Sequence, residues 1–506
     1  MGLLRALGAA ARPGWSRLGA AAILGAGVAA GQAPFGFWWL SLLSLAVLIA
    51  EIAAEGRRAR RLWLSWAAGV GYFALALFWI VDPFLVEPET FGWMAPFALL
   101  LMCAGMALFW LLAGWIAGVG RWPFARALGF ALGLAVGDLV RSYVLTGFPW
   151  ALLGHIWIDT PVAQAAAVVG PVGLSVLTAI TAALPVMARD RRGRAVLSAV
   201  ALAVLGCVWL AGSARLNQPV EPRDPPVRVR LVQPNAEQAL KWQGDMWRVF
   251  LDRQLAWTAQ PASEPLDLII WPETAVPYLL EYSDDLFAEM AAVSGGVPIV
   301  TGVQRADGAR YYNSLVALDG RGAVIAMHDK SHLVPFGEYI PFGDFLVPFG
   351  IRAFAAQEGF GYTPGAAIRV LDLGRAGRVL PLICYEAIFA QDLNRAVGQA
   401  DWILQITNDG WFGDISGPYQ HLAQTRLRAI EQGLPVLRVA NTGVSGVIDA
   451  AGQLLHALPL NTEGALDVAV PPARPRPLYA RTGDLPVAAF LVLALLVVAA
   501  RRRFAD

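Results

Sequence analysis

Hydrophobic and polar positions divide this 506-residue chain into stretches of different rhythm. Long apolar runs recur near 18–33, 37–54, 62–85, 94–118, 124–145, 161–187, 195–212 and 485–500, each close to the length that crosses a hydrocarbon layer about 30 Å thick. Between the last two of these the apolar runs shorten and begin to alternate. Residues 227–232 read as a half-buried strand, and 266–271, 297–300, 315–318, 323–327, 379–384, 402–407 and 436–440 as further strands. Helical spacing separates several of them, around 238–258, 284–293 and 421–432. The pattern predicts a membrane protein: an α-helical bundle of about eight transmembrane helices with an α/β domain set between the seventh and the eighth. Its divisions are 1–212 for the first seven helices, 213–484 for the α/β domain, and 485–506 for the last helix and tail.

Composition agrees, since 57% hydrophobic and 15% charged residues is too apolar for a soluble globular protein. A net charge of +1 leaves no large basic face, which argues against a nucleic-acid partner. The placement of charge carries more. Arg5, Arg12 and Arg17 precede the first run, Arg57, Arg58, Arg60 and Arg61 follow the second, and Arg121 and Arg126 the fourth. Arg189, Arg191, Arg192 and Arg194 follow the sixth, and Arg501, Arg502 and Arg503 the last, whereas the loops 82–93 and 146–160 hold no Lys or Arg. Basic short loops stay in the cytoplasm, so both termini are expected there and 213–484 on the opposite side. The basic, Ala/Gly-rich N-terminus imitates a secretory signal, but an uncleaved first span keeps the span count even, as the arginines require.

Candidate chemistry gathers at strand ends. Cys103 and Cys207 lie in apolar runs and read as packing residues, whereas Cys384 ends the strand 379–384 with no second cysteine in its domain to pair with. Glu273 follows the strand 266–271, and Lys330 follows 323–327. A carboxylate, an ammonium and a thiol supply a base, an oxyanion partner and a nucleophile, the set that acyl transfer needs. Taken singly, Glu273 could be a helix cap, Lys330 a surface lysine and Cys384 a packing thiol. His328 and His332 lack a third ligand cluster, so no metal is expected. Asp138 and Arg141 share one helix face, as a buried pair or as a headgroup contact. The apolar segment 336–364, with Phe342, Phe345 and Phe349, reads either as a lid dipping toward lipid or as a loop packed on its own domain.

The sequence context narrows these readings. Trp271-Pro272-Glu273-Thr274-Ala275-Val276-Pro277, the run from Lys330 through Leu333-Val334-Pro335-Phe336-Gly337-Glu338-Tyr339, and Ile383-Cys384-Tyr385-Glu386 resemble the Glu-Lys-Cys triad segments of the nitrilase superfamily. With Thr407-Asn408-Asp409-Gly410-Trp411-Phe412-Gly413 and Thr146-Gly147-Phe148-Pro149-Trp150, they resemble its membrane-embedded branch, the apolipoprotein N-acyltransferase family. The resemblance implies an extracytoplasmic nitrilase-like αββα sandwich on the membrane bundle, in a bacterial inner membrane. It implies Glu273, Lys330 and Cys384 as catalytic residues, Glu338, Tyr385 and Glu386 as supporting ones, and Trp242, Trp411 and Phe412 as substrate contacts. Glu386, two residues past the nucleophile, could orient Lys330 or cap the following helix. The implied partners are a phospholipid acyl donor and a diacylglyceryl apolipoprotein acceptor, with no cofactor and a monomeric enzyme. A membrane-tethered amidase or acyl hydrolase, and a non-catalytic lipoprotein-binding protein, are the other readings.

Overall fold

A computed structural model describes residues 13–241, 243–341, 361–396 and 398–500. The chain forms two compact units, one of residues 1–218, 415–423 and 477–506 and one of 219–414 and 424–476.

The first unit is helical. Its helices are α1 (Trp15–Ala29), α2 (Trp38–Ala54), α3 (Arg58–Ala76), α4 (Ala95–Ala117), α5 (Pro123–Tyr143), α6 (Ala166–Ala183) and α7 (Arg191–Leu216), with Leu485–Ala500 returning near the C-terminus. Among the described residues four helical stretches are long and apolar enough to cross a membrane: Pro88–Ala117, Pro123–Tyr143, Pro161–Met187 and Arg191–Leu216. A fifth is added if α3 and the 3-10 turn Phe78–Leu85 count as one span; Trp38–Ala54 and Leu485–Ala500 are apolar but shorter. The run expected as a continuous span over 62–85 therefore bends by 49° after Ala76. Pro83 sits in the segment beyond the bend, where it cannot donate to a helical ladder. Cys103 is buried, but Cys207 lies exposed on α7 rather than in packing.

Asp138 and Arg141 form a buried pair at 3.0 Å on α5. Asp138 also accepts from Leu153 N at 2.9 Å and Ser175 Oγ at 2.7 Å, while Arg141 donates to the carbonyls of Phe148, Trp150 and Ala151. At 2% exposure Arg141 clamps the turn after α5, and the headgroup-contact reading falls away.

The second unit is built from two six-stranded sheets. Its strands are β1 (Arg228–Gln233), β2 (Leu268–Ile270), β3 (Ile299–Asp307), β4 (Arg310–Leu318), β5 (Val324–Asp329), β6 (Leu371–Asp372), β7 (Arg378–Ile383), β8 (Trp402–Thr407), β9 (Val436–Ala440), β10 (Ser445–Ile448), β11 (Leu454–Leu458) and β12 (Gly464–Ala469). The orders are β12-β1-β2-β3-β4-β5 and β11-β10-β9-β8-β7-β6. Both sheets follow one plan: β1-β2-β3 and β7-β8-β9 are parallel, and every other pairing is antiparallel. The sheets face each other, β1 against β9 and β10, and β4 against β7. Helices Met246–Ala259 and Asp284–Val293 cover the first sheet, burying Leu251, Leu255, Phe287 and Met290 on Ile269, Ile299 and Val316. This is the expected α/β domain, with β6 and β10 to β12 added to the strands that alternation identifies.

Candidate active site

Parallel strands finish at the same edge of a sheet, and reactive groups gather there because turns can place them without burying unpaired backbone. Glu273 lies three residues past β2, Cys384 directly past β7, and Asn408 directly past β8. β5 runs antiparallel to β4, which is itself antiparallel to β3, so Lys330 leaves its sheet at the same end as Glu273. Stacking the sheets brings these ends together. Asn408 N, from the second sheet, donates to Glu273 Oε2 at 2.7 Å.

Three of these turns hold a residue in an unusual backbone state. Thr274, Phe336 and Cys384 have φ of 51°, 63° and 49°, a left-handed region that costs non-glycine residues free energy and concentrates at functional sites. The Glu273 turn lies flat on β3: Gly302 N donates to Pro272 O at 3.1 Å, and Gly302 O accepts from Ala275 N at 2.9 Å. A Cβ on Gly302 would stand 2.6 Å from Glu273 Cα and closer still to Thr274 N, so only glycine fits there. Cys384 is pinned from both sides, Ile383 N donating to Glu386 Oε2 at 2.7 Å and Gln405 Nε2 donating to Cys384 O at 3.3 Å.

Glu273, Lys330 and Glu338 make a buried cluster. Lys330 Nζ donates to Glu338 Oε1 at 2.9 Å and to Glu273 Oε1 at 3.3 Å. Asn313 Nδ2 reaches the same two oxygens, at 2.8 Å from Glu273 Oε1 and 3.1 Å from Glu338 Oε1. Two carboxylate oxygens are thus bridged twice, once by an ammonium and once by a neutral amide. Burial alone would lower the pKa of Lys330, but Glu273, Glu338 and Cys384 outweigh it and hold the ammonium well above its ordinary value. Glu338 Oε2 also accepts from Val334 N at 2.8 Å, which fixes the turn after Lys330.

The sulfur belongs to the same cluster, since Glu273, Lys330 and Asp409 all act on it electrostatically. Burial pushes the Cys384 thiol up, Glu273 pushes it further, and Lys330 and a hydrogen bond with Thr407 only partly oppose them. The resting site therefore holds a thiol. Lys330 is outweighed, and the thiolate is not the favoured form of the resting sulfur.

Glu386 is fully buried and accepts from Ile383 N, from Ser331 N and Oγ at 2.7 and 2.6 Å, and pairs with His328 Nε2 at 3.1 Å. Burial would raise its pKa, but His328 and the bonds from Ser331 and Ile383 bring it down to about 2. It caps the short 3-10 helix Cys384–Ile388 that follows, as one of the two sequence readings had it, rather than bonding Lys330. It ties the strand end carrying Lys330, through Ser331 and His328, to the strand end carrying Cys384. Tyr385 is buried in an aromatic group, edge-on to Phe389 at 5.0 Å and to His332 at 5.9 Å. His332 stacks on Phe389 and pairs with Asp392 at 2.9 Å, so each histidine is engaged with a carboxylate. Trp411 is half-buried and Phe412 buried on the turn after β8. Trp242 and the segment 342–360, with Phe342, Phe345 and Phe349, lie outside the described residues.

Sequence reasoning assigned no role to Asn313, Lys241, Thr407 or Asn408, although the last two stand in one of the quoted motifs. Lys241 is buried, donates to Thr274 O at 2.7 Å behind the Glu273 turn, and is brought down to about 8 by burial, with Glu273 opposing. The signal for Asn313 was an amide close before the apolar run Leu315-Val316-Ala317-Leu318 of β4, where a buried polar group needs a partner.

The Carbon-nitrogen hydrolase family matches residues 228–479, and the Apolipoprotein N-acyltransferase N-terminal domain matches 24–184. A curated protein of Rhodopseudomonas palustris named Apolipoprotein N-acyltransferase is 36% identical over 515 residues, covering 97% of this chain and 96% of that one. One of the same name from Brucella melitensis biotype 1 is 36% identical over 525 residues, with 97% of each chain covered. Among solved structures, an amidase from Nesterenkonia sp. aligns at 20% identity and a TM-score of 0.37, over 52% of this chain and 95% of its own.

Proposed function

Because the chain belongs to the apolipoprotein N-acyltransferase family, we propose that it moves a fatty acyl group from a phospholipid to the α-amino group of the diacylglyceryl-cysteine that begins an apolipoprotein, through a thioester on Cys384. The observation that carries the residue assignment is the buried cluster in which Lys330 stands 3.3 Å from Glu273 and both act on the Cys384 sulfur. Glu273 takes the thiol proton as sulfur attacks the ester carbonyl of the phospholipid. Lys330 stabilises the oxyanion of the tetrahedral intermediate. The intermediate collapses to the thioester, and the lysophospholipid leaves with the proton returned by Glu273. The acceptor amine then attacks the thioester, gives its proton to Glu273, and Cys384 departs as the thiolate that recovers it.

Glu338 and Asn313 share the work of holding Glu273 and Lys330 apart by a fixed amount. The three charged groups sum to one negative charge, which is the capacity the site needs to receive the thiol proton. Tyr385 and Glu386 support the nucleophile's turn, and Trp242, Trp411 and Phe412 contact substrate. The arginine pattern supports eight spans in a bacterial inner membrane, both termini in the cytoplasm, and 213–484 in the periplasm as a monomer's catalytic domain. That side suits an acceptor whose lipid and peptide portions lie at the outer surface of the membrane.

The test supplies purified protein with phospholipid and a synthetic diacylglyceryl-cysteine lipopeptide. The expected products are N-acylated lipopeptide and lysophospholipid in equal amounts. Release of free fatty acid in place of the N-acyl product would assign the site to a hydrolase.

A further inference from the structure

Ile383 and Ile406 pair across the parallel strands β7 and β8, which makes the next residues, Cys384 and Thr407, neighbours at the strand ends. The Thr407 hydroxyl hydrogen-bonds the Cys384 sulfur. It also donates to Asp409 Oδ1 at 2.9 Å. Asp409 Oδ2 accepts from Arg438 Nη2 at 2.7 Å, in a pair whose side chains are both 0% exposed. Thr407 itself is fully buried, so no bulk water competes for these bonds.

A hydroxyl carries one hydrogen and two acceptor lone pairs. While that hydrogen points at Asp409, the Thr407 oxygen can only accept from the thiol. To support a sulfur anion, the hydrogen must turn away from Asp409 toward the sulfur. The two settings exclude each other. Bonds to an ionised partner are the stronger kind and weigh more in a dry site, so both the carboxylate and the developing thiolate bid for one donor. The charged and titratable groups facing the sulfur are Glu273 from the turn after β2, Lys330 from the end of β5, Asp409 after β8, and Tyr385 beside it.

We propose that Thr407 is a positioning residue for acyl transfer, a hydroxyl rotor that accepts the Cys384 S–H bond at rest and donates to sulfur as Glu273 removes the proton. Asp409, fixed by Arg438, biases the rotor toward the resting setting. The rotor gains and loses no proton; one O–H bond changes its acceptor from Asp409 to sulfur. This assignment rests on the reading of Cys384 as nucleophile, and it gives the Thr407-Asn408-Asp409 segment two distinct duties. Asn408 N orients the base, and Thr407 with Asp409 sets the sulfur.

The experiment measures alkylation of Cys384 by iodoacetamide against pH in the full-length protein, located by peptide mass spectrometry so that Cys103 and Cys207 are counted apart. In Thr407→Val, which keeps shape but removes the hydroxyl, the pH giving a fixed alkylation rate rises by about one unit, the worth of one hydrogen bond to an ionised group. Thr407→Ser restores the parent behaviour. In Asp409→Asn the pH moves the other way, because the competing acceptor is weakened and a negative charge near sulfur is removed. Shifts of the same sign in Thr407→Val and Asp409→Asn, or no shift in either, overturn the rotor. If Thr407→Val does not fold, Thr407→Ala takes its place, with the same upward shift expected, and its absence overturns the rotor. Alkylation needs no lipid, so failure of the acyltransferase reading would appear separately, as normal alkylation without acylation by phospholipid.

Discussion

Glu386 shows how a single buried carboxylate can make one site out of two strand ends. It receives bonds from residues flanking Lys330 and from the residue before Cys384, and each favours its ionised form. Its folded pKa of about 2 lies below the ordinary 4.5, so it contributes stability that is present above about 4.5 and lost as pH falls toward 2. Glu386→Gln should therefore melt well below the parent at neutral pH, with the gap closing between pH 4.5 and 2; thermal melts across that range check it. A gap independent of pH would mean that shape rather than charge holds the strand ends. At this scale the gathering of Glu273, Lys330 and Cys384 was legible, because each follows an apolar run within a distinctive motif. The protonation of Cys384 was not, since burial and the nearness of Glu273 are properties of the folded site. Asn313 and Thr407 were assigned no role for a related reason: an amide or hydroxyl in a strand declares its role only when its partners are known.

The elements matter because they set where turns begin. Gly302 is the clearest case, a strand position whose missing side chain lets the Glu273 turn rest on β3. Gly302→Ala should cost about 1–3 kcal/mol as an overpacked contact. Acylation of Cys384 should slow by about 10²-fold, because displacing a catalytic group by an ångström has that consequence. Melting temperature and acylation rate, measured on the same preparation, check both, and a normal rate would show that the turn tolerates the shift. Short apolar or alternating runs bounded by polar turns identified the central strands. That pattern missed β10, which begins Ser445-Gly446, and β11, whose residues are mostly exposed. The helix expected from 238 begins only at Met246, after Gly244 takes a φ of 50° that interrupts the pattern. The bend after Ala76 was hidden because hydropathy continues through it unchanged.

At the scale of the whole molecule, hydropathy separated an apolar helical unit from an α/β unit, and that division follows from bulk composition. What hydropathy could not supply was the return of residues 415–423 to the helical unit, which interrupts the stretch read as one continuous domain. Nor does apolar length alone settle how many helices cross, because two are short and one is bent. The relatives align along nearly the entire chain, so both units belong to one enzyme rather than to a chance fusion. The central claim is that Cys384 carries the acyl group between two lipid substrates. Its most direct test is the intact mass of the purified protein after incubation with a phospholipid of defined acyl chains and no acceptor. The account predicts a gain of one acyl mass on Cys384, lost on adding the lipopeptide, absent in Cys384→Ala, and formed about 10²- to 10⁴-fold more slowly in Glu273→Gln. An acyl adduct of undiminished yield in Cys384→Ala, or N-acylation that proceeds at the parent rate without Cys384, would contradict it.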